Sequence, residues 1–331
     1  MRRVKKYLLI TMMLSILMVS ISSASAWKNG SYGYNREDYS YEDDYGTHDW
    51  IAEAALEILL TEAKDSWTWL ADENLKIIYL LGTEAPDNSQ LKTTLDMDEV
   101  EGFGDTTKHH VYFDENDEIL EDDSALRAKK CADLADVYLE ENKREKAAFY
   151  LGAMTHYIAD LAMYAHVAEN NVDPYNVDFD EWHSKVEGYV NSRTNDYEDQ
   201  EEFFEIDDDF DIEEKKAYDA ATDLAWDTYA DPDPSESITR DAKWLHDNFF
   251  TDWADNKEDR EDESTTRQLY YDRIEESLNN AIKQIVLAMV YVGGAKDSLP
   301  SYNVYIVLFI SFMGFIGLTI KQFNNTRRLK A

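Results

Sequence analysis

The sequence predicts an all-α protein, a bundle of many helices followed by one helix that crosses a membrane. Three observations predict this fold class. Apolar residues recur three and four positions apart through most of the chain, and only 5 prolines and 12 glycines interrupt its 331 residues. Neither an internal repeat nor a glycine-rich phosphate loop is evident. Helices with one apolar face bury those faces against one another, so a multi-helix bundle follows.

The chain begins with the features of a secretory signal peptide over residues 1–26. A basic start, "MRRVKK", precedes the apolar run "YLLITMMLSILMVSIS" and the small residues Ala24, Ser25 and Ala26, a pattern that signal peptidase cleaves. Cleavage would leave Trp27 as the first residue. It would also change the formal net charge from −37 to −41, because the removed segment contains four basic residues and no acidic ones. We therefore expect an exported protein.

Three stretches between the two ends have the apolar spacing of helices. They are "DWIAEAALEILL" at 49–60, "REKAAFYLGAMTHYIADLAMYAHV" at 144–167 and "SLNNAIKQIVLAMVYV" at 277–292. Cys131 is the only cysteine of the chain. No disulfide can therefore form within it, and packing or bound metal must stabilise the bundle.

Residues 195–219, "NDYEDQEEFFEIDDDFDIEEKKAYD", form an acidic insert interrupted by aromatic residues. Calcium is a hard cation that prefers carboxylate oxygens, and four side chains of the insert could supply them: Asp207, Asp208, Asp209 and Asp211. The insert lacks the glycine and the final glutamate of an EF-hand loop, so a solvated segment is favoured over a calcium site. The acidic excess of the whole chain disfavours nucleic acid as a partner, because like charges repel.

A second long apolar segment lies near the C-terminus. The run "VYIVLFISFMGFIGLTI", residues 304–320, contains no charge, and a helix needs roughly 17 to 25 residues to cross the ~30 Å hydrocarbon layer of a membrane. We predict a transmembrane helix over 302–320, followed by a short basic tail, 321–331. Positive charge beside a membrane span marks its cytoplasmic side. The tail is therefore expected inside the cell, and residues 27–298 outside it as a cell-surface domain.

Histidine and carboxylate pairs at helical spacing predict a metal site. His156 and Asp160 are four residues apart, as are His183 and Glu187, so each pair lies on one helix face and could bind one cation. His166, ten residues after His156, either points near the same face or lies just past the end of the helix. Imidazole and carboxylate are common zinc ligands. A single such pair is more often a surface ion pair, but two pairs among apolar neighbours favour a site with several metal ions.

Upstream stretches supply further candidates. "GTHDWIAEAAL" places His48 at the start of an amphipathic helix, and "LLGTEAPDNSQ" places Asp87 in a turn after a proline. "TTKHHVYFDEN" contains two adjacent histidines, His109 and His110. Taken singly, each of these is an ordinary loop or helix-cap residue, and their order along the chain is the more informative feature.

From Trp27 to about Val292 the sequence resembles the zinc-dependent phospholipases C, most closely in "AAFYLGAMTHYIAD" and "HSKVEGYV". Zinc-dependent single-strand nucleases and the catalytic domain of phosphatidylinositol-glycan phospholipase D share the family's fold. The resemblance implies three zinc ions, two of them bridged by Asp160, and a general-base role for Asp87. The implied ligands, in chain order, are Trp27, His48, Asp87, His110, His156, Asp160, His166, His183 and Glu187. His110 is favoured over His109 by its spacing to a downstream aromatic residue and aspartate.

The resemblance implies a membrane-anchored extracellular phosphodiesterase that hydrolyses phospholipids with a metal-activated water molecule. Its expected partner is a phospholipid or membrane surface. A nuclease of the same fold is the close alternative, which the charge of the chain disfavours. The other alternative is a metal-stabilised surface protein without catalysis, which Asp87 disfavours because a structural zinc needs no base. The lipid headgroup and the oligomeric state remain open.

Overall fold

The computed structural model describes residues 45–88, 102–114, 118–167, 186–194, 204–229 and 265–298. The predicted signal peptide, transmembrane helix and basic tail lie outside these residues and stay predictions, as does the orientation of the chain in a membrane. Within the described ranges, no helix combines the length and the apolar character that crossing a membrane requires.

The described part of the chain is largely helical, in agreement with the predicted all-α class. Residues 186–191 are helical, and short 3₁₀ turns occupy Thr68–Ala71, Thr106–Lys108, Asp160–Ala162 and Tyr164–His166. The remaining helices are α1 (Thr47–Glu62), α2 (Lys64–Trp67), α3 (Glu73–Glu84), α4 (Asp123–Glu140), α5 (Arg144–Ala159), α6 (Ala217–Tyr229) and α7 (Thr265–Ser298).

A small antiparallel hairpin departs from the all-helical prediction. Strand β1 (Tyr112–Phe113) pairs with β2 (Ile119–Glu121), and the pairing is irregular between Tyr112 and Phe113. The strands are two and three residues long. Strands this short contain too few residues to show an alternating apolar pattern, which explains why the sequence did not reveal them.

Helix α5 lies at the centre of the bundle. Every residue from Ala147 to Ala159 is buried, as expected of a helix that is apolar on all sides. It packs mainly against α3 and α4, and it also contacts α1, α6 and α7. The C-terminal end of α5, which contains His156, is therefore enclosed by other helices.

Two glycines allow α3 and α5 to cross with their backbones in contact. A Cβ atom on Gly152 would lie 1.9 Å from the Tyr79 carbonyl oxygen, and one on Gly82 would lie 2.1 Å from the Phe149 carbonyl oxygen. Only glycine fits at either position, because a side chain there would overlap the backbone of the other helix. This crossing brings the end of α3 against the last turns of α5.

The described part of the acidic insert, residues 204–219, packs along α7 with its apolar side chains inward. Phe204 is buried, and Ile206, Phe210 and Ile212 are partly buried against the core. The Asp207 amide donates to Asn279 Oδ1 of α7 over 3.0 Å. Residues 204–216 are therefore an irregular segment fastened to the bundle, and residues 217–219 begin α6. The first residues of the insert, 195–203, lie outside the described ranges.

The four candidate calcium ligands of the insert, Asp207, Asp208, Asp209 and Asp211, are exposed. None of them belongs to the groups of acidic and histidine side chains that could hold a metal ion within the described residues.

Candidate metal centre

Five predicted or candidate metal ligands meet beside the C-terminal end of α5, each at the end of a helix or in a turn. His48 is in the first turn of α1, and His156 is in the last turn of α5. Asp160 begins the 3₁₀ turn that follows α5, Asp87 lies in the turn after α3, and His109 follows the 3₁₀ turn Thr106–Lys108. The helix crossing at Gly82 and Gly152 brings the end of α3, which precedes Asp87, close to the end of α5.

Asp160 is the centre of this cluster. Its Oδ1 lies 3.1 Å from His48 Nε2, and its Oδ2 lies 2.9 Å from His109 Nδ1 and 3.1 Å from His156 Nε2. All four side chains are completely buried. Three imidazole nitrogens therefore converge on one carboxylate that is shielded from water.

Asp87 extends the cluster on one side. Its Oδ1 lies 3.6 Å from His109 Nδ1 and 3.9 Å from His156 Nε2, and its side chain is 13% exposed. Two overlapping groups of three side chains could each hold a metal ion. One group is His48, His156 and Asp160, and the other is Asp87, His109 and His156.

The hydrogen bonding of the cluster fits metal ligation. His156 Nδ1 lies 2.6 Å from the Thr83 carbonyl oxygen. A carbonyl can only accept, so Nδ1 carries the proton, and in the neutral ring Nε2 presents its lone pair to the cluster. Within the described residues, neither carboxylate oxygen of Asp160 and neither ring nitrogen of His48 has a hydrogen-bond partner. Buried polar atoms without partners are costly, and a bound cation would satisfy them.

The electrostatics of the cluster favour a cation as well. Burial and the charge of His156 together lower the pKa of His48 to about 4, so His48 is neutral at pH 7 and able to bind metal. Burial also disfavours charge on His156, but Asp160 and Asp87 outweigh this and raise its pKa to about 9. Burial alone would raise the pKa of Asp160, yet His156 and His109 hold it well below its ordinary value. The carboxylates thus stabilise positive charge at the place where the imidazoles meet.

The structure brings His109 to Asp87 and His156, whereas the sequence favoured His110. The His110 ring instead stacks on His166, with ring centroids 4.9 Å apart, and on Tyr112 at the same distance. The two adjacent histidines follow the 3₁₀ turn Thr106–Lys108, and they make different contacts. Spacing to downstream residues could not distinguish the two histidines, because the local backbone conformation determines which of them faces Asp87 and His156.

The predicted third ligand set is only partly described. His166 and Glu187 are buried, while His183 lies outside the described residues. Helix α5 ends at Ala159, and Met163 has an extended conformation between two 3₁₀ turns. His166 therefore lies past the end of the helix and does not share a helix face with His156. Trp27 also lies outside the described ranges, and its role stays a prediction.

Two residues near the cluster were not singled out from the sequence, Asp49 and Thr83. Asp49 follows His48 directly and is fully buried, and burial raises its pKa to about 7. Its Oδ2 accepts a hydrogen bond from the Gly46 amide over 2.9 Å, and its Oδ1 lies 2.9 Å from the Thr83 hydroxyl. An acidic residue three positions after the N-cap residue of a helix, here Gly46, is a known signal of a helix N-terminus. Thr83, the partner of Asp49 on α3, has no such local sequence signal.

Comparisons with known proteins give structural likenesses alone. No family model matches the sequence, and no curated protein matches it. The structure is similar to the alpha toxin from Clostridium absonum, with a TM-score of 0.45 and 18% identity, and to the Clostridium perfringens alpha-toxin from avian strain SWCP, with a TM-score of 0.43 and 17% identity. Each match covers 78% of this chain and 66% of the toxin chain, slightly less than two thirds of the toxin's length. Because both TM-scores are below 0.5, no conclusion about function follows from them.

Proposed function

We propose that this chain is a zinc-dependent phosphodiester hydrolase of the phospholipase C type, which acts on phospholipids at the outer surface of a membrane. The observation that carries the proposal is the environment of Asp160. This fully buried carboxylate has three imidazole nitrogens within 3.1 Å and no hydrogen-bond partner among the described residues. The family resemblance of the sequence supplies the class of reaction.

The spacing of the ligand atoms suits zinc. Atoms bound tetrahedrally to zinc at 2.0–2.1 Å lie about 3.3 Å apart. The ring nitrogens of the three histidines lie 2.9–3.1 Å from the carboxylate oxygens of Asp160. His109 Nδ1 lies 3.2 Å from His156 Nε2. These atoms are therefore as close as neighbouring ligands of one ion or of two adjacent ions.

We assign the ligands to two ions. One would be held by His48, Asp160 and, following the family resemblance, the amino-terminal Trp27, and the other would be held by Asp87, His109, His156 and Asp160. The resemblance assigns a third ion to His166, His183 and Glu187. Zinc bound in this way acts as a Lewis acid toward phosphate and increases the acidity of water at neutral pH.

The side chains of the chain have separate tasks in this proposal. His48, His109 and His156 would contribute ring nitrogens as ligands, and the Thr83 carbonyl holds the ring of His156 in the required tautomer. Asp87 is the partly exposed member of the cluster, so it is the carboxylate that water can reach. We assign it the role of accepting the proton of the attacking water, a general-base contribution commonly worth ~100- to 10,000-fold.

Charge and targeting signals favour phospholipid over nucleic acid as the substrate. A net charge of −37 for the full chain repels polyanions, whose binding depends on basic side chains. The predicted signal peptide and transmembrane helix would keep the catalytic domain beside a lipid surface. A nuclease is the second candidate, since the same cluster could attack any accessible phosphodiester.

Replacement of Asp160 tests the proposal, with Asp133 as the matched control. Asp160→Asn removes the central charge of the cluster, whereas Asp133 is an exposed aspartate of α4 paired with Lys129. The processed chain, which begins at Trp27, purified with detergent and loaded with zinc, should release phosphorylated headgroup from vesicles of phosphatidylcholine and phosphatidylethanolamine. Asp160→Asn should lose both zinc and activity, and Asp133→Asn should keep both.

The possible outcomes separate the alternatives. Equal zinc content in the two variants would contradict the metal assignment. Faster cleavage of single-stranded DNA than of any lipid would keep the hydrolase and overturn the substrate. Zinc-loaded protein that cleaves neither would favour a surface protein without catalysis.

A further inference from the structure

The carboxylate of Asp49 joins α1, which carries the candidate ligand His48, to the last turn of α3, which precedes Asp87. One oxygen accepts from the Gly46 amide at the start of α1, which fixes the helix turn containing His48. The other lies 2.9 Å from the Thr83 hydroxyl in the last turn of α3. Asp49 itself belongs to neither group of side chains that could hold a metal ion among the described residues. Asp49 therefore contacts Gly46 and Thr83, which position the candidate ligands, and it is not itself a candidate ligand.

Thr83 connects Asp49 to His156. Its hydroxyl lies between Asp49 Oδ1 and the Leu80 carbonyl oxygen, at 2.9 and 2.6 Å, and its own carbonyl accepts from His156 Nδ1. Thr83 is completely buried and follows Gly82, where α3 touches α5. A single carboxylate therefore holds the turn that contains His48 in register with the carbonyl that orients His156.

We infer that Asp49 is a positioning residue of the metal centre, which sets the relative placement of His48 and His156 through Gly46 and Thr83. This inference rests on the proposed metal binding but not on the identity of the substrate. Residues that orient metal ligands typically change metal affinity by 10- to 100-fold when they are replaced. Loss of the Asp49 carboxylate is therefore expected to weaken metal binding although Asp49 binds no metal.

Two substitutions of Asp49 distinguish the effect of its hydrogen bonds to Gly46 and Thr83 from the effect of its negative charge. In Asp49→Asn the amide oxygen can still accept from Gly46, and the amide nitrogen can donate to the Thr83 hydroxyl, whose own proton goes to Leu80. Asp49→Ala removes both contacts. If the contacts of Asp49 position His48 and His156, Asp49→Asn should bind metal like the wild type and Asp49→Ala should not.

The control is another aspartate that caps a helix. Asp72 accepts from the Asn74 and Leu75 amides at the start of α3, in an exposed position. Asp72→Ala removes a helix cap, as Asp49→Ala does, but at the end of α3 away from Thr83. It should lower thermal stability without changing the metal centre.

The measurement is titration of the metal-free processed chain, residues 27–331, with Co²⁺, followed by visible absorption, which reports affinity and coordination geometry together. Asp49→Ala should bind Co²⁺ at least ~10-fold more weakly with an altered spectrum, and Asp49→Asn and Asp72→Ala should match the wild type. An unchanged affinity and spectrum in Asp49→Ala, or an equal loss in Asp72→Ala, would overturn the inference.

A second pair of variants applies if Asp49→Ala does not fold. Thr83→Val removes the hydroxyl that Asp49 contacts and should weaken Co²⁺ binding, whereas Thr83→Ser retains a hydroxyl and should restore it. Equal binding in these two variants would contradict the inference. Lipid hydrolysis by the wild type is assayed separately, so failure of the substrate proposal leaves the metal result intact.

Discussion

Gly152→Ala should destabilise the bundle and the metal centre together. The added Cβ would lie 1.9 Å from the Tyr79 carbonyl oxygen and 2.8 Å from Gly82 Cα, whereas carbon atoms in contact are about 3.5–4.0 Å apart. Helices α3 and α5 must therefore separate by roughly 1 Å or more. Overpacking costs about 1–3 kcal/mol, and we take the upper end of this range because both groups in contact belong to the backbone. The better helix propensity of alanine returns about 1 kcal/mol, which leaves a net loss of ~2 kcal/mol.

Urea and thermal unfolding would measure this loss. For a domain of this size, ~2 kcal/mol corresponds to a fall of about 4–8 °C in Tm. Because the separation of the helices also moves Thr83 away from His156, zinc affinity should fall as well. Gly188→Ala is the matched control, since a Cβ at Gly188 meets no atom within 4 Å. The reasoning fails if Gly152→Ala is as stable as Gly188→Ala and binds zinc equally well.

Three further predictions concern the metal ligands. His109→Ala should lose zinc whereas His110→Ala should keep most of it, and metal analysis of the two variants showing the reverse would support the ligand that the sequence favoured. The pKa of His156 is raised to about 9 from 6.5. The metal-free protein should therefore lose the stabilisation that protonated His156 contributes as pH rises from about 6.5 to about 9. Zinc affinity should rise over the same pH range, because the proton that competes with zinc for His156 is lost. Unfolding and zinc titrations at pH 6 and 9 test both, and a zinc affinity independent of pH would refute the second. A chain with one extra residue before Trp27 should bind less zinc than the correctly processed chain, because a peptide nitrogen is not a basic ligand; equal zinc content by metal analysis would exclude Trp27 as a ligand.

Apolar periodicity predicted α1, α5 and the second half of α7, but it did not single out α3, α4 or α6, and it did not show where α5 ends. The stretches at 49–60 and 277–292 lie within α1 and α7. The stretch at 144–167 stays apolar beyond Ala159, yet α5 ends there and the backbone becomes extended at Met163. Burial continues on both sides of this end, so the apolar pattern does not mark it.

The candidate site was predictable where spacing or side-chain chemistry determines the ligand. The His156 and Asp160 pair was evident from its four-residue spacing, and the order of ligands in the resembling family pointed to His48 and Asp87. The choice between His109 and His110 depends on the conformation of a single turn. Thr83 was not predictable, because its partners come from distant parts of the chain and are brought to it by the contact between α3 and α5.

Anomalous X-ray diffraction at the zinc absorption edge, from crystals of the processed chain grown with zinc, tests the central claim most directly. The account predicts two neighbouring zinc peaks beside Asp160, among the nitrogens of His48, His109 and His156. A zinc-bound crystal without a peak beside Asp160, or with hydrogen bonds to both Asp160 oxygens in place of metal, would contradict it.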